Sequence, residues 1–311
     1  MEKALDNEKD WNNDDLNWIH HFVKKRLKSE ESIKTIYHYT CLDSFVNILK
    51  TNTLWATNCE YTNDLQELKD IEKTYDYLFE TENGINKEFI GSLKQTLLKK
   101  MTESSRKQTY IISFSKNCDL IAMWKIYGKN GIVLEFDISA IERVAKRNKI
   151  IVVDRNGTPK KISTRTIFGE VIYDDSEIVK LVRASLRQLY RMHEQEIKND
   201  IMEIYVHGIY TKTLFDMFYK KKDTNFSYEQ EYRIAFTLYD NDVGKVENFR
   251  VKNDLIIPYI VIEFKNKNFI PLKSITINPE QKDCMFEFSL RHLLKAYNYD
   301  IPIYYSNSKI R

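Results

Sequence analysis

The chain has 311 residues, 42% of them hydrophobic, with 20 Tyr and 16 Phe but only 8 Gly and 5 Pro; this balance excludes a disordered or collagen-like polymer and allows one large domain or two modest ones. The 48 basic and 45 acidic residues leave a net charge of +3, which gives no argument for an obligatory nucleic-acid partner. Four dispersed cysteines (Cys41, Cys59, Cys118, Cys284) make no C-x-x-C pair or zinc spacing, Met1 to Asp15 is polar and acidic, and no apolar run approaches the ~20 residues of a membrane span; the expectation is a cytoplasmic protein with reduced thiols, no metal and no membrane partner.

In chain order, Asp14 to Lys28 reads as an amphipathic helix, capped by Asn13 or Asp14, with Leu16, Ile19, Val23 and Leu27 at helical spacing. Thr35 to Tyr39 is β-rich. Asp43 then caps a helix over Ser44 to Lys50 with Phe45, Ile48 and Leu49 on one side, and Thr53 to Thr57 is a second strand. Thr62 or Asn63 opens another helix, striped by Leu65, Leu68, Ile71, Tyr75 and Leu78, and Lys87 to Met101 is helical again. Gln108 to Phe114 is a strand rich in β-branched and aromatic residues. Leu120 to Tyr127 is a short helix or turn, and Gly128 and Gly131 bracket a tight connection into the strand Ile132 to Phe136. Strands follow near Ile150 to Val153 and Thr166 to Tyr173, and Ser176 to about Tyr219 is helical with a break near Gly208. The last part returns to strands at Tyr232 to Leu238, Val246 to Val251, Pro258 to Phe264 and Ser274 to Ile277, then a helix from Met285 to Tyr297 and a short strand near Ile303. The lack of regular βαβ alternation argues against a doubly wound sheet and for the α+β class. We divide the chain into an N-terminal helical extension over 1–34 and one domain over 35–311 that carries a helical insertion at about 176–222.

Three separated motifs carry polar chemistry. His38 lies in Tyr37-His38-Tyr39-Thr40; strand alternation puts His38 and Thr40 on one face and Tyr37 and Tyr39 on the other. A histidine at a sheet edge can bond a ribose hydroxyl, or be satisfied by backbone groups. Ser113-Phe114-Ser115 ends a strand, with two hydroxyls on one face that either hold a carboxylate beside a cleft or merely terminate pairing. Glu229-Gln230-Glu231 leads into Tyr232-Arg233-Ile234-Ala235-Phe236. Two carboxylates at i and i+2 share a face and repel unless each has a partner. They suit a reaction that develops positive charge on a sugar, one stabilising the oxocarbenium-like ribose and the other orienting or deprotonating an acceptor. The plainer alternative is a solvated strand start in which Arg233 is a salt-bridge partner.

Other clusters have two readings each. Asn63, Asp64 and Glu67 are a polar site or a helix start with carboxylates near its dipole. Met123, Trp124 and Tyr127 wall a pocket or pack a core turn. Lys220 to Lys222 steer phosphates toward the glutamates or form a solvated helix end. His20, His21, His193, His207 and His292 show no metal spacing.

Tyr37-His38-Tyr39-Thr40, Asn63-Asp64 with Glu67, Ser113-Phe114-Ser115, Met123-Trp124-x-x-Tyr127 and Tyr228-Glu229-Gln230-Glu231-Tyr232-Arg233 together resemble a widespread bacterial family, from about residue 35 to 280. That family is known mainly as a domain of unknown function and occurs beside phage-defence genes. The histidine, Ser-x-Ser and Glu-x-Glu motifs also resemble the ADP-ribosyltransferase superfamily. The resemblance implies a split mixed or antiparallel sheet with helical insertions, and NAD as substrate. By position it implies that His38 binds ribose, with Tyr39 and Thr40 beside it among the cofactor-binding residues. Ser113 and Ser115 brace the glutamate and the nicotinamide half, Glu231 is the catalytic carboxylate, and Glu229 positions the acceptor. Tyr39, Phe114, Trp124 and Tyr127 are the candidates to stack on nicotinamide. The chain departs from compact transferases in the long helical stretches between its motifs.

The expectation is therefore an NAD-dependent ADP-ribosyltransferase-like enzyme, or an NAD glycohydrolase, acting as an anti-phage or toxin effector. Its acceptor is a protein, a nucleic acid or water, and its trigger is a phage component or a cognate defence partner. The alternative is a non-catalytic sensor or interaction domain of a defence system that binds a phage component. A metal-dependent nuclease has little support, because no compact acidic and histidine cluster with a lysine is present.

Overall fold

A computed structural model describes residues 33–62, 70–100, 108–147, 149–194, 222–252, 254–265, 269–281 and 283–308. The helix expected over Asp14 to Lys28, the polar triplet Asn63, Asp64 and Glu67, and the second half of the expected insertion lie outside them. In chain order the elements are β1 (Thr35–Thr40), α1 (Leu42–Thr51), β2 (Thr53–Asn58), α2 (Asp70–Thr81), α3 (Lys87–Lys100), β3 (Thr109–Ser115), α4 (Ile121–Ile126), β4 (Ile132–Asp137), α5 (Ile138–Ala145), β5 (Ile150–Val153), β6 (Pro159–Ile162), β7 (Thr164–Glu170), α6 (Asp175–Glu194), β8 (Glu231–Leu238), α7 (Asp240–Val246), β9 (Asn248–Lys252), β10 (Leu255–Glu263), β11 (Leu272–Ile277), α8 (Cys284–Ala296) and β12 (Ile303–Tyr305).

The strands form one 12-stranded mixed sheet in an α+β arrangement, in which β11 and β12 are parallel neighbours and the other strand pairs are antiparallel. Its main path runs β12-β11-β4-β1-β3-β2-β10-β5-β6. One face is apolar. Ile36, Leu54, Tyr110, Ile112, Phe114, Leu134, Ile234 and Phe236 meet Phe45 and Leu49 of α1, Ile141 and Val144 of α5, and Leu290 and Leu294 of α8 in the main core. These helices present an apolar stripe at helical spacing, so each buries one side against the strands.

The pairing of β3 shapes the functional region. Along one edge it pairs in full with β8, from Thr109↔Thr237 to Ser115↔Glu231. Along the other edge it is shared: β2 takes Tyr110 and Ile111, whereas β1 meets it at Tyr37↔Ser115. Ile112, Ser113 and Phe114 have no register partner on that edge, so β1 and β2 splay apart there and the sheet is split. The α1 helix joins the two diverging strands and anchors them to the core through Phe45, Ile48 and Leu49.

Several local expectations change. The α1 helix begins earlier than expected, so Asp43 falls in its first turn and the N-cap is Cys41, with no side-chain cap bond. The strand expected over Thr166 to Tyr173 is β7, Thr164–Glu170, which leaves Tyr173 beyond its end. The helices α5 and α7 and the strand β6 are additions to the elements expected from periodicity. The α5 helix is only 8 residues long and follows β4 directly, capped by Asp137 onto the Ala140 amide at 3.0 Å. In the stretch expected to be helical from Ser176, α6 is a 20-residue helix tied to buried Glu82 by Arg183 and Arg187 at 3.0 and 2.9 Å.

Candidate functional site

A cleft of about 390 Å³ lies in the split of the sheet, within the range of small-molecule sites. His38, Tyr39, Thr40, Ser113, Phe114, Ser115, Tyr127, Glu229 and Glu231 all line it. Trp124 does not. It is 1% exposed, packs edge-on against Tyr39 at 5.1 Å with Met123 and Val133, and donates its indole N–H to Asp119 at 2.8 Å. Trp124 is thus a packed-turn residue with no free ring face for nicotinamide.

Strand register explains how the motifs meet. Ser113 faces Arg233 and Ser115 faces Glu231 across the β3–β8 ladder. In an antiparallel pair, opposed residues share a face, so Ser113, Ser115, Glu231 and Arg233 stand together on the side away from the main core. The Tyr37↔Ser115 pair puts Tyr37 and Tyr39 on that side as well. His38 belongs to the other face: its ring meets core residue Phe114 edge-on at 5.7 Å. The ring enters the cleft beside Ser113 because β1 leaves β3 after Tyr37. There His38 Nδ1–H donates to the Ser113 carbonyl at 3.2 Å. Burial lowers its pKa and this bond opposes the shift. In the neutral ring Nδ1 is then the donor and Nε2 the acceptor.

The two glutamates converge by a different route from strand alternation. Asp223 caps a short 3₁₀ turn, Thr224–Glu229, by accepting from the Asn225 amide at 2.7 Å. Gln230 then adopts a left-handed conformation with φ 45°, and Glu231 opens β8. Glu229 therefore does not precede Glu231 on one strand. Their carboxylates are brought together by Lys222, whose Nζ lies 2.6 Å from Glu229 Oε2 and 3.1 Å from Glu231 Oε2. Lys222 is 3% exposed and sits over the Phe226 ring at 4.8 Å, so it is neither a solvated helix end nor a free steering charge. Its amide bonds to the Ile172 carbonyl, and the Glu231 amide donates to the Tyr173 hydroxyl at 2.9 Å; the segment after β7 thereby holds the glutamate turn in place.

Arg233 grips Glu231 as a fork, with Nε to Oε1 at 2.6 Å and Nη2 to Oε2 at 3.0 Å. The solvated strand start is corrected: Glu229, Glu231 and Arg233 are 4%, 2% and 2% exposed. Burial alone raises the Glu231 pKa. The Arg233 and Lys222 charges, with hydrogen bonds from Arg233 and Ser113, outweigh it and hold the carboxyl at about 2. Glu231 is ionised at neutral pH, and Arg233, Lys222 and Ser113 already engage its oxygens. Glu229 accepts from the Tyr127 hydroxyl at 3.0 Å; burial, then the Glu229 charge and this bond, push the Tyr127 pKa up. Ser115 donates to the Glu229 carbonyl at 2.9 Å and accepts from the Asn117 amide, so its role is to fix the turn.

With the cleft assembled, a family can be placed against it. Residues 123–234 match the family model described as Protein of unknown function (DUF2971). This supports the expected unknown-function family over a shorter stretch than the 35 to 280 read from the motifs. The matched segment contains Tyr127, Glu229, Glu231 and Arg233, and it excludes His38 and Ser113. No curated protein and no solved structure matches the chain.

The cleft residues that sequence reasoning missed include Trp55 and Thr57 on β2, and Arg250 and Lys252 on β9. They belong to none of the motifs and carry no local signature. Arg233 did carry one, its i+2 spacing from Glu231 on a strand. Among the described residues no cluster of three or more His, Cys, Asp or Glu side chains is arranged to hold a metal, and no helix is long and apolar enough to cross a membrane.

Proposed function

We propose that the cleft binds NAD and that the protein is an ADP-ribosyltransferase-like enzyme or NAD glycohydrolase. The observation that carries this reading is the presence of His38, Ser113 and the Glu229–Glu231 pair on the walls of one cleft in a split sheet. In this reading the bond between ribose C1′ and the nicotinamide nitrogen breaks, and its electron pair neutralises the pyridinium. Glu231 stabilises the positive charge left on the ribose. An acceptor hydroxyl, amine or water attacks C1′ and yields its proton to Glu229. The Nε2 of His38 accepts from a ribose hydroxyl. Tyr127, half-buried with its hydroxyl on Glu229, flanks the nicotinamide, whereas Phe114 is a buried core side chain. Since Glu231 is fully engaged by Arg233, Lys222 and Ser113, a substrate hydroxyl must exchange with one of these partners. The family resemblance supplies the setting, anti-phage defence or toxicity, with a protein or nucleic acid as acceptor and a phage component or cognate partner as trigger.

Incubation with NAD and cell or phage extract should release nicotinamide or label a target. Glu231→Gln should lower the rate by about 10²–10³-fold, and His38→Ala should weaken NAD binding. Equal activity in wild type and both variants sinks the assignment.

One observation favours the alternative of a non-catalytic sensor. The four charges of Lys222, Glu229, Glu231 and Arg233 neutralise one another, which suits a rigid bracket for a binding cleft. Equal phage protection by wild type and Glu231→Gln, with NAD bound but uncleaved, would select that reading.

A further inference from the structure

We propose that Arg250 and Lys252 on β9, with Thr57 and Trp55 of β2, form a phosphate subsite that takes the diphosphate of a dinucleotide at the end of the cleft away from Glu231. This deepens the NAD reading and rests on it for the identity of the ligand, though the subsite can be tested on its own.

The cleft wall is unevenly charged. Its acidic residues are Glu229 and Glu231, and its permanent cations are Lys222, Arg233, Arg250 and Lys252. Lys222 and Arg233 are consumed by the two glutamates. Arg250 and Lys252 have no carboxylate partner among the described residues, so the cleft keeps an uncompensated positive end. A partly buried cation without a counter-charge is destabilising, and an anionic ligand removes that penalty.

The placement of Arg250 is specific. One Nη donates to Thr57 Oγ1 at 2.8 Å, while its buried Nε has no hydrogen-bond partner. Its guanidinium lies 5.7 Å from the Trp55 ring and 5.6 Å from the Tyr259 ring, which are themselves stacked at 4.5 Å. The aromatic shelf fixes the arginine without neutralising it. Burial lowers the Arg250 pKa, as expected of a cation lacking an acidic neighbour.

Sheet register places these groups on the catalytic side. Arg250↔Ile257, Tyr259↔Thr57 and Thr57↔Ile111 are successive cross-strand pairs, so Arg250 shares the face of Ile111, Ser113 and Glu231. Lys252 follows Arg250 at i+2 and opposes Leu255. From β8 to β9 the route crosses β3, β2 and β10, four strand spacings of about 4.8 Å, or ~19 Å between backbones. A ligand that engages both ends must be long and anionic in its distal part, which describes a nucleoside joined through a diphosphate. Trp55 is 41% exposed and offers a ring for the distal base.

The test is calorimetric binding of ADP, inorganic pyrophosphate and nicotinamide riboside to wild type, Arg250→Gln and Lys252→Gln, with NAD cleavage followed separately. Thermal melting identifies any Arg250→Gln sample that is not folded; exposed Lys252 provides the second, independent variant. The expected result is that wild type binds ADP and pyrophosphate, that each variant weakens both by tenfold or more, and that nicotinamide riboside affinity is unchanged. Failure of wild type to bind either anion, or equal binding by wild type and the folded variants, overturns the subsite. ADP binding that depends on Arg250 and Lys252, without NAD cleavage even in the presence of cell and phage extract, supports the subsite and removes the enzymatic reading. NAD cleavage with the same KM in wild type and both variants keeps the enzymatic reading and overturns the subsite.

Discussion

At the scale of single residues, the site is organised by the Glu231–Arg233 pair. Arg233 is deeply buried and its fork is matched to one carboxylate. Removing it leaves a buried anion with only part of its compensation, so Arg233→Ala should destabilise the protein by about 3–5 kcal/mol. Adding Glu231→Gln to that variant should recover part of the loss, which urea unfolding of the four members of the cycle will measure. The same pair creates an acid limit. The Glu231 pKa is depressed from 4.5 to about 2 in the folded chain. Its contribution is therefore present above about pH 4.5 and is lost as pH falls toward about 2. Wild type should lose stability across that window, and Glu231→Gln should lose less there. His38 acts in the same direction: its folded-state pKa is lowered below 6.5, so protonation on acidification favours the unfolded chain.

At the scale of elements, the cleft depends on where strands touch and where they part. Gly131 lies where the turn before β4 approaches the end of β1. A Cβ built on it would sit 2.1 Å from the Thr40 carbonyl oxygen, a backbone atom that cannot swing away. Gly131→Ala should therefore destabilise by about 3 kcal/mol and displace the β1 wall that carries His38. Gly91 in α3 is the contrast, since a methyl group added there would meet nothing within 4 Å. There Gly→Ala should stabilise by about 0.5–1 kcal/mol. Thermal denaturation of the two variants should show shifts of opposite sign. The glycine pair around this turn is visible in the sequence as a tight connection. Its contact with Thr40 is not, because that contact joins segments about ninety residues apart, well beyond any local pattern.

At the scale of the whole molecule, the cleft joins two charge regimes on one sheet face: a self-neutralised bracket at β3 and β8, and an uncompensated positive end at β9. A ligand spanning both stabilises the folded chain by linkage. Under the proposed NAD site, NAD at a hundred times its Kd should add about 2.7 kcal/mol of stability, seen as a rise in Tm, and His38→Ala should diminish that rise at the same NAD concentration; no rise in wild type counts against the proposal. Much of the scaffold is legible in the chain. The strands at Thr35, Thr53, Thr109, Ile132, Ile150, Glu231 and Leu272 and the helices α1, α3, α4 and α8 follow from alternation or helical spacing. The sheet order is not legible, since β3 shares one edge between β1 and β2 and these contacts arise from distant parts of the chain.

Strand periodicity alone settled which residues share a face. Ser113 with Ser115, and Glu231 with Arg233, are paired by the two-residue period of an extended backbone. It also determined that His38 and Tyr39 point to opposite sides. That these faces open into one space follows from long-range strand pairing. The glutamates meet through Lys222 after a left-handed turn at Gln230, and Arg250 reaches the same face through β10 and β2. The physical reason is range: side-chain alternation is set by adjacent backbone torsions, whereas the gap between β1 and β2 is set by competition for the edge of β3.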